Sequence, residues 1–264
     1  MRNVRVRIAY DGSKFFGWQR QDGFESVQQS LEEAIESLTD RTVVVHGAGR
    51  TDTGVHSLGQ VANFHLDTRL DDHALLRALN AHLVDGAAIT ALETCDDDFH
   101  ARFHARGKRY LYRVVTGAVR PPFGDAYSAW VREPLDLAAV RAAARALEGT
   151  HDFAAFASAG SPRASTVRTV RAVRVIPRRE HFAIAVEGNG FLYNMVRAIA
   201  GTLIDVGRGR FTPEQVAEIL AGADRRRAGP TAPAQGLWLL RVLYDEPVLT
   251  GRVRGPRGAA GFHP

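Results

Sequence analysis

The chain has 264 residues and carries 34 Lys and Arg against 29 Asp and Glu, a formal charge of +5. At roughly 150 residues per domain this makes one large domain or two modest ones, and 45% hydrophobic residues fill a core well enough to exclude disorder as the main state. A single cysteine, Cys95, excludes an internal disulfide and a zinc site built from several thiolates, while the lack of any apolar run near ~18 residues argues against a membrane helix, so a soluble protein of the reducing cytoplasm is expected.

The first predicted element is a strand over residues 3–10, where Val4, Val6, Ile8 and Tyr10 alternate with polar neighbours. A turn-rich stretch, Asp11 to Glu25, leads to Ser26, after which Val27, Leu31, Ala34, Ile35 and Leu38 fall at helical spacing. Gln29, three residues after Ser26, suggests a capping box. Thr42 to His46 is a β-branched run, Val61 to Leu66 a further strand, Asp71 to Leu83 a helix with a leucine stripe, and Ala87 to Thr94 a closing strand. The order is β-α-β-β-α-β.

A second copy of that order starts at Arg109, where Tyr110, Tyr112 and Val114 share one face. Asp136 caps an alanine-rich helix that runs through Leu147, and strands follow at Val167 to Ile176 and His181 to Glu187. A helix is predicted from Phe191 to about Val206, an inserted one from the capping box Thr212, Pro213, Glu214, Gln215, and a last strand over Leu237 to Leu243. Asp98 to Phe103 and Asp152 to Phe156 echo one another. The expected fold is α+β: two ferredoxin-like β-α-β-β-α-β halves joined into a mostly antiparallel sheet with helices on one side. The halves span 1–106 and 107–250, and the arginine- and glycine-rich tail 251–264 is expected to be disordered.

Chemistry concentrates in Gly47 Ala48 Gly49 Arg50 Thr51 Asp52 Thr53 Gly54 Val55 His56, between two predicted strands. Glycines on both sides permit a tight loop that presents Asp52 outward, with Arg50 two residues away to keep the carboxylate ionised. The ordinary alternative is an Asx turn in which Asp52 bonds its own backbone. Asp52 Thr53 Gly54 also spells the aspartic-protease triplet, but that chemistry needs two carboxylates sharing one proton, and a neighbouring arginine favours both as anions. Cys95, His100 and His104 are spaced like metal ligands, yet Asp96, Asp97, Asp98, Phe99 and Phe103 lie among them and no second cysteine completes a site. Core or surface histidines fit better, and no metal is expected.

Of the 34 basic residues only Lys14 and Lys108 are lysines. Arginine suits phosphate and base contact, although a GC-rich genome produces the same bias. Arg168, Arg171, Arg174, Arg178, Arg179 and Arg225 to Arg227 are the candidate clusters; strand alternation sets Arg168 and Arg174 on one face and Arg171 on the other. Phe16, Trp18 and Gln19 fit core cover rather than RNA contact.

Gly49 Arg50 Thr51 Asp52 Thr53 Gly54 Val55 His56 Ser57 Leu58 Gly59 Gln60 resembles the signature loop of the A-type tRNA pseudouridine synthases, written GRTDAGVHAxGQ, departing at Thr53 and Ser57. Tyr10 Asp11 Gly12 with Phe16 Gly17 Trp18 Gln19, Phe99 to Phe103, Lys108 to Tyr112, Gly190 to Arg197 and Ala232 to Leu237 fit the family in the same order; Leu83 Val84 departs where the family has a proline. The resemblance implies the pseudouridine synthase fold and a cofactor-free isomerase that converts uridine to pseudouridine at tRNA positions 38, 39 and 40 of the anticodon stem-loop. It implies Asp52 as nucleophile, with attack on ribose, attack on base and a glycal route all compatible with the motif. It further implies Arg197 as the cation partner of Asp52, Tyr110 stacking on the target base and helping to remove its C5 proton, and Arg50 filling the gap left by the extruded base. The implied partners are tRNA and a second copy of the chain, in a homodimer, with no membrane. A non-catalytic RNA-binding protein on the same fold is the competing reading.

Overall fold

The computed structural model describes residues 1–158, 165–178 and 181–250; the tail 251–264 and Arg179 lie outside them. The chain forms two compact units, one comprising Met1–Arg106 with the segment from Leu239 onward, the other Gly107–Trp238. Each is α+β, a sheet with helices packed on one side.

In the first unit β1 (Arg2–Tyr10) pairs antiparallel with both β3 (His56–Leu66) and β4 (Ala87–Cys95). Val4, Val6, Ile8 and Tyr10 point to one face, where they meet Phe64 and Leu66 of β3, Leu31 and Ile35 of α1 (Val27–Thr39), and Leu75 and Leu79 of α2 (Asp72–His82). The alternation read from the sequence is therefore the core pattern. Ser26 caps α1 by accepting the Gln29 N–H at 3.3 Å, but the Gln29 side chain turns to Glu33, so only half of the expected box forms. Asp71 caps α2 through Ala74 N–H at 2.7 Å.

The strand expected over Thr42 to His46 shrinks to β2, His46–Gly47, paired with β3. Val45 N–H donates to Glu32 Oε1 and Val45 O accepts from Gln28 Nε2, both at 3.1 Å, so buried side chains of α1 occupy the groups a ladder needs. In the other direction β3 starts at His56, five residues before the expected Val61. His56 to Phe64 are all buried, which leaves no alternation to read.

In the second unit β9 (His181–Gly188) lies between β5 (Gly107–Thr116) and β8 (Val167–Pro177), antiparallel to both. β7 (Gly149–Asp152) extends the sheet beyond β8, and β6 (Ala129–Val131) runs parallel to β5, which makes the sheet mixed. α3 (Leu137–Arg145), capped by Asp136, packs on β8 and on α4 (Met195–Gly207). α5 (Pro213–Gly222) carries the full Thr212–Gln215 capping box. A bulge between Val170 and Ala172 buries both Val170 and Val173, which breaks the strict alternation that set Arg168 and Arg174 together.

Candidate active site

The Asp52 loop is held by the segment that follows β1. Tyr10 Oη and Thr51 Oγ1 share a buried hydrogen bond of 2.8 Å, Trp18 N–H donates to Thr51 O at 3.0 Å, and Gly54 N–H donates to Gly12 O at 3.2 Å. Gly12 N–H in turn donates to Nδ1 of the fully buried His56 at 3.0 Å. Behind the loop, Gln60 Nε2 donates to Gly49 O at 2.7 Å. The approach is so close that a Cβ on Gly12 would stand 2.2 Å from Val55 O, and one on Gly17 2.6 Å from Thr51 O. Glycine at these two places is a requirement of contact, and Gly17 also has φ +87°.

Asp52 opens a tight turn closed by the main chain: Val55 N–H donates to Asp52 O at 3.1 Å, with Gly54 at φ +80° in the third position, as a type II turn demands. Thr51 beside it is buried, Asp52 half-buried and Arg50 exposed. Among the described residues Arg50 forms no ion pair, with Asp52 or any other carboxylate. Proximity in sequence suggested that pair; the loop instead leaves the guanidinium open to solvent. Trp18 is 2% exposed and belongs to the core, as expected, whereas Phe16 is exposed and stacks on Phe24 with centroids 4.5 Å apart.

In the second unit Tyr110 and Tyr112 share a face of β5. Tyr112 is the core tyrosine: fully buried, its hydroxyl donates to Pro233 O at 2.8 Å and its ring packs on Gly236, where a Cβ would stand 2.6 Å from Cζ. Burial pushes its phenol upward, opposed in part by the nearby Arg197 charge. Tyr110 is 7% exposed and meets Phe191 edge to face at 5.2 Å.

Arg197 projects from the first turn of α4. Its Nε donates to Ala232 O at 2.8 Å and its Nη1 to Asn194 Oδ1 at 2.8 Å. Asn194 sits at the head of the helix in left-handed conformation, φ 60°, with Nδ2 donating to Ser158 Oγ at 3.1 Å. That conformation delays the helix from the expected Phe191 to Met195. Two acceptors thus fix the guanidinium plane, which orients the remaining N–H edge, as bidentate carboxylate recognition needs. Asn194, Ala232 and Tyr10 were missed as functional supports, although all three stand inside segments that carry the family resemblance.

The other candidates separate. Cys95 is half-buried, and burial pushes its thiol up to about 11, against the thiolate a metal requires. Among the described residues no group of His, Cys, Asp and Glu is arranged to hold a metal ion. Arg174 pairs with Glu148, Arg226 with Asp224 and Arg227 with Glu218, while Arg225 donates to Gly229 O and Thr231 Oγ1. These arginines are engaged within the protein. Among the described residues no helix is long and apolar enough to cross a membrane.

A family profile described as tRNA pseudouridine synthase matches residues 7–104 and 143–245. A tRNA pseudouridine synthase A of Thermoanaerobacter sp. (strain X514) is 43% identical over 244 residues, 92% of this chain and 100% of the relative. That of Geobacillus kaustophilus (strain HTA426) is 42% identical, covering 93% and 96%. That of Syntrophotalea carbinolica (strain DSM 2380 / NBRC 103641 / GraBd1) is 45% identical, covering 91% and 96%.

Proposed function

Because the chain belongs to the tRNA pseudouridine synthase family and is an isomerase that turns uridine into pseudouridine, we propose that it acts in the cytoplasm on tRNA, at uridines 38, 39 and 40 of the anticodon stem-loop, with Asp52 as nucleophile and no cofactor. The observation that carries the assignment is the Asp52 turn, whose main chain is tied to Gly12, Gly17 and Trp18 while its carboxylate is presented from a half-buried position. Such restraint supplies a nucleophile that needs no reorganisation on binding.

The reaction conserves atoms. The bond from ribose C1′ to N1 of uracil breaks, C1′ bonds to C5 of the rotated base, C5 gives up its proton, and N1 gains one. Arg197 keeps the nucleophile ionised, Tyr110 stacks on the base and assists removal of the C5 proton, and Arg50 enters the gap in the RNA stack. Extruding a base costs a few kcal/mol, least where pairing is already weak, which favours a stem-loop over a long duplex. A homodimer is the working particle. The two units are copies of one β-α-β-β-α-β plan; in support, each pairs its first strand antiparallel with the strand leading into its second helix, β1 with β3 and β5 with β9.

The test is to incubate unmodified tRNA with wild type and Asp52→Ala and map pseudouridine. Wild type is expected to modify the three anticodon-arm positions and Asp52→Ala none. Equal product from both overturns the nucleophile, and product elsewhere overturns the site.

A further inference from the structure

The segment Phe99 to Phe103 has no part in the chemistry above, yet the fold builds it with care. Its inward residues are Phe99 and Ala101, buried at 8% and 0% exposure. Asn63 Nδ2 and Asn3 Nδ2 both donate to Phe99 O, at 3.1 and 2.8 Å, and Asn63 Oδ1 accepts Ala101 N–H at 2.9 Å. Tyr244 Oη closes the other side on Ala101 O at 2.7 Å. Two buried asparagines and a tyrosine thus fix a five-residue segment.

What the segment fixes is its outer row. Phe103 is 70% exposed and lies against His100 with centroids 4.2 Å apart; His100 lies against His46 at 4.9 Å, both pairs tilted by about 35° or less. Arg102 stands over the Phe103 ring at 5.8 Å. The result is a surface row of four planar groups, Arg102, Phe103, His100 and His46, ending four residues before Arg50. Among the described residues Arg102 has no carboxylate partner.

The tautomers add direction. His100 Nδ1 accepts Arg102 N–H and His104 Nδ1 accepts His100 N–H, each at 3.1 Å, so each neutral ring carries its proton on Nε2. Both are donors to whatever docks. Burial lowers the His100 pKa first, and His46, His104 and Arg102 lower it further, so the charges that act on it most are all basic. An apolar protein partner has no use for an unpaired cation and imidazole N–H groups; nucleic acid, with base faces and phosphates, matches both.

The geometry points to this row as a docking platform for single-stranded RNA beside the target uridine, in which a base stacks on Phe103 while Arg102 and the imidazole N–H groups take phosphate oxygens. The inference rests on the tRNA substrate proposed above.

The test is kinetics and equilibrium binding with an unmodified tRNA transcript. Base-on-aromatic stacking is sensitive to alanine substitution, so Phe103→Ala is expected to raise KM and Kd about tenfold or more, with kcat altered less than about twofold. Phe103→Leu, which keeps apolar bulk without a π face, follows Phe103→Ala, and Phe103→Tyr stays near wild type. His46→Ala, at the far end of the row, gives an independent loss of binding. Melting temperatures of all variants are expected to match wild type, since the ring is exposed. Wild-type Kd in Phe103→Ala, or full rescue by Phe103→Leu, overturns the platform. If wild type made no pseudouridine in tRNA the functional proposal would fail by itself, and the binding series would still decide this one.

Discussion

Arg197 is oriented by one side chain and one main-chain carbonyl, and the two can be separated by mutation. Asn194→Gly keeps the left-handed backbone at φ 60° without strain and deletes the acceptor of the 2.8 Å bond from Nη1. A hydrogen bond to a charged group contributes about 1.5–3 kcal/mol, so kcat is expected to fall roughly tenfold or more while the melting temperature moves little, glycine being a tolerable helix cap. Asn194→Ala is expected to lose about 1–2 kcal/mol of stability in addition, because its Cβ opposes the left-handed conformation. Pseudouridine formation at saturating tRNA and thermal melts check both. Wild-type kcat in Asn194→Gly would show that the guanidinium needs no such hold. Asp52 is legible in the sequence because glycines flank it; the role of Asn194 is not, since nothing in one asparagine announces a positive φ. The arginine clusters mislead for the opposite reason: composition shows charge, but not that Glu148, Asp224 and Glu218 already take Arg174, Arg226 and Arg227.

At the scale of elements, the segment after β1 acts as the seat of the Asp52 loop, and glycine contacts set its height. Gly17→Ala places a methyl 2.6 Å from Thr51 O at φ +87°, so the carbonyl bonded to Trp18 N–H must move and carry Asp52 with it. With Asp52 as the proposed nucleophile, activity is expected to drop at least about tenfold, since displacement of a reacting group by an ångström costs on the order of a hundredfold. Gly23→Ala is the control: it has φ +80° but nothing within 4 Å. It bears the same backbone strain of about 1–2 kcal/mol and keeps its activity. Equal activity losses in the two would assign the effect to strain alone. Strand and helix positions are largely readable where the apolar residues keep a regular period, as in β1, or where one face is buried and the other wet, as in α1 and α2; the last strand, β10 (Leu237–Leu243), reads instead as a short apolar run. They fail where tertiary contacts intervene: Glu32 and Gln28 take Val45 out of the ladder, the bulge in β8 reverses its parity, and β3 is buried on both faces.

For the molecule as a whole, three phenols, Tyr10 and Tyr112 buried and Tyr244 half-buried, are expected to set the alkaline limit of stability. Burial pushes Tyr10 up to about 12, against lowering by Thr51, and raises Tyr112 and Tyr244 as well. A folded-state pKa above the unfolded one means the native state holds a proton that the unfolded chain has released. Stability is therefore intact below the ordinary phenol value of 10.0 and falls as pH rises toward about 12. Each such tyrosine contributes up to about 1.4 kcal/mol per pH unit in that window, so Tyr10→Phe is expected to flatten the decline by about that slope. Urea midpoints between pH 9 and about 11 check it, and an unchanged slope would mean that Tyr10 ionises as freely in the folded protein as in the unfolded one.

The side chains of Arg197 and Tyr112 both reach the segment Ala232–Pro233, and there each bonds a carbonyl oxygen. A carbonyl is the same in every residue. A side-chain scan across this stretch would score its two most useful acceptors as silent, and point substitution offers little means of altering them. Only a change in the number of residues between α5 and β10, or replacement of an amide by an ester, reaches these atoms. The connection after α5 is accordingly expected to tolerate change of residue far better than change of length.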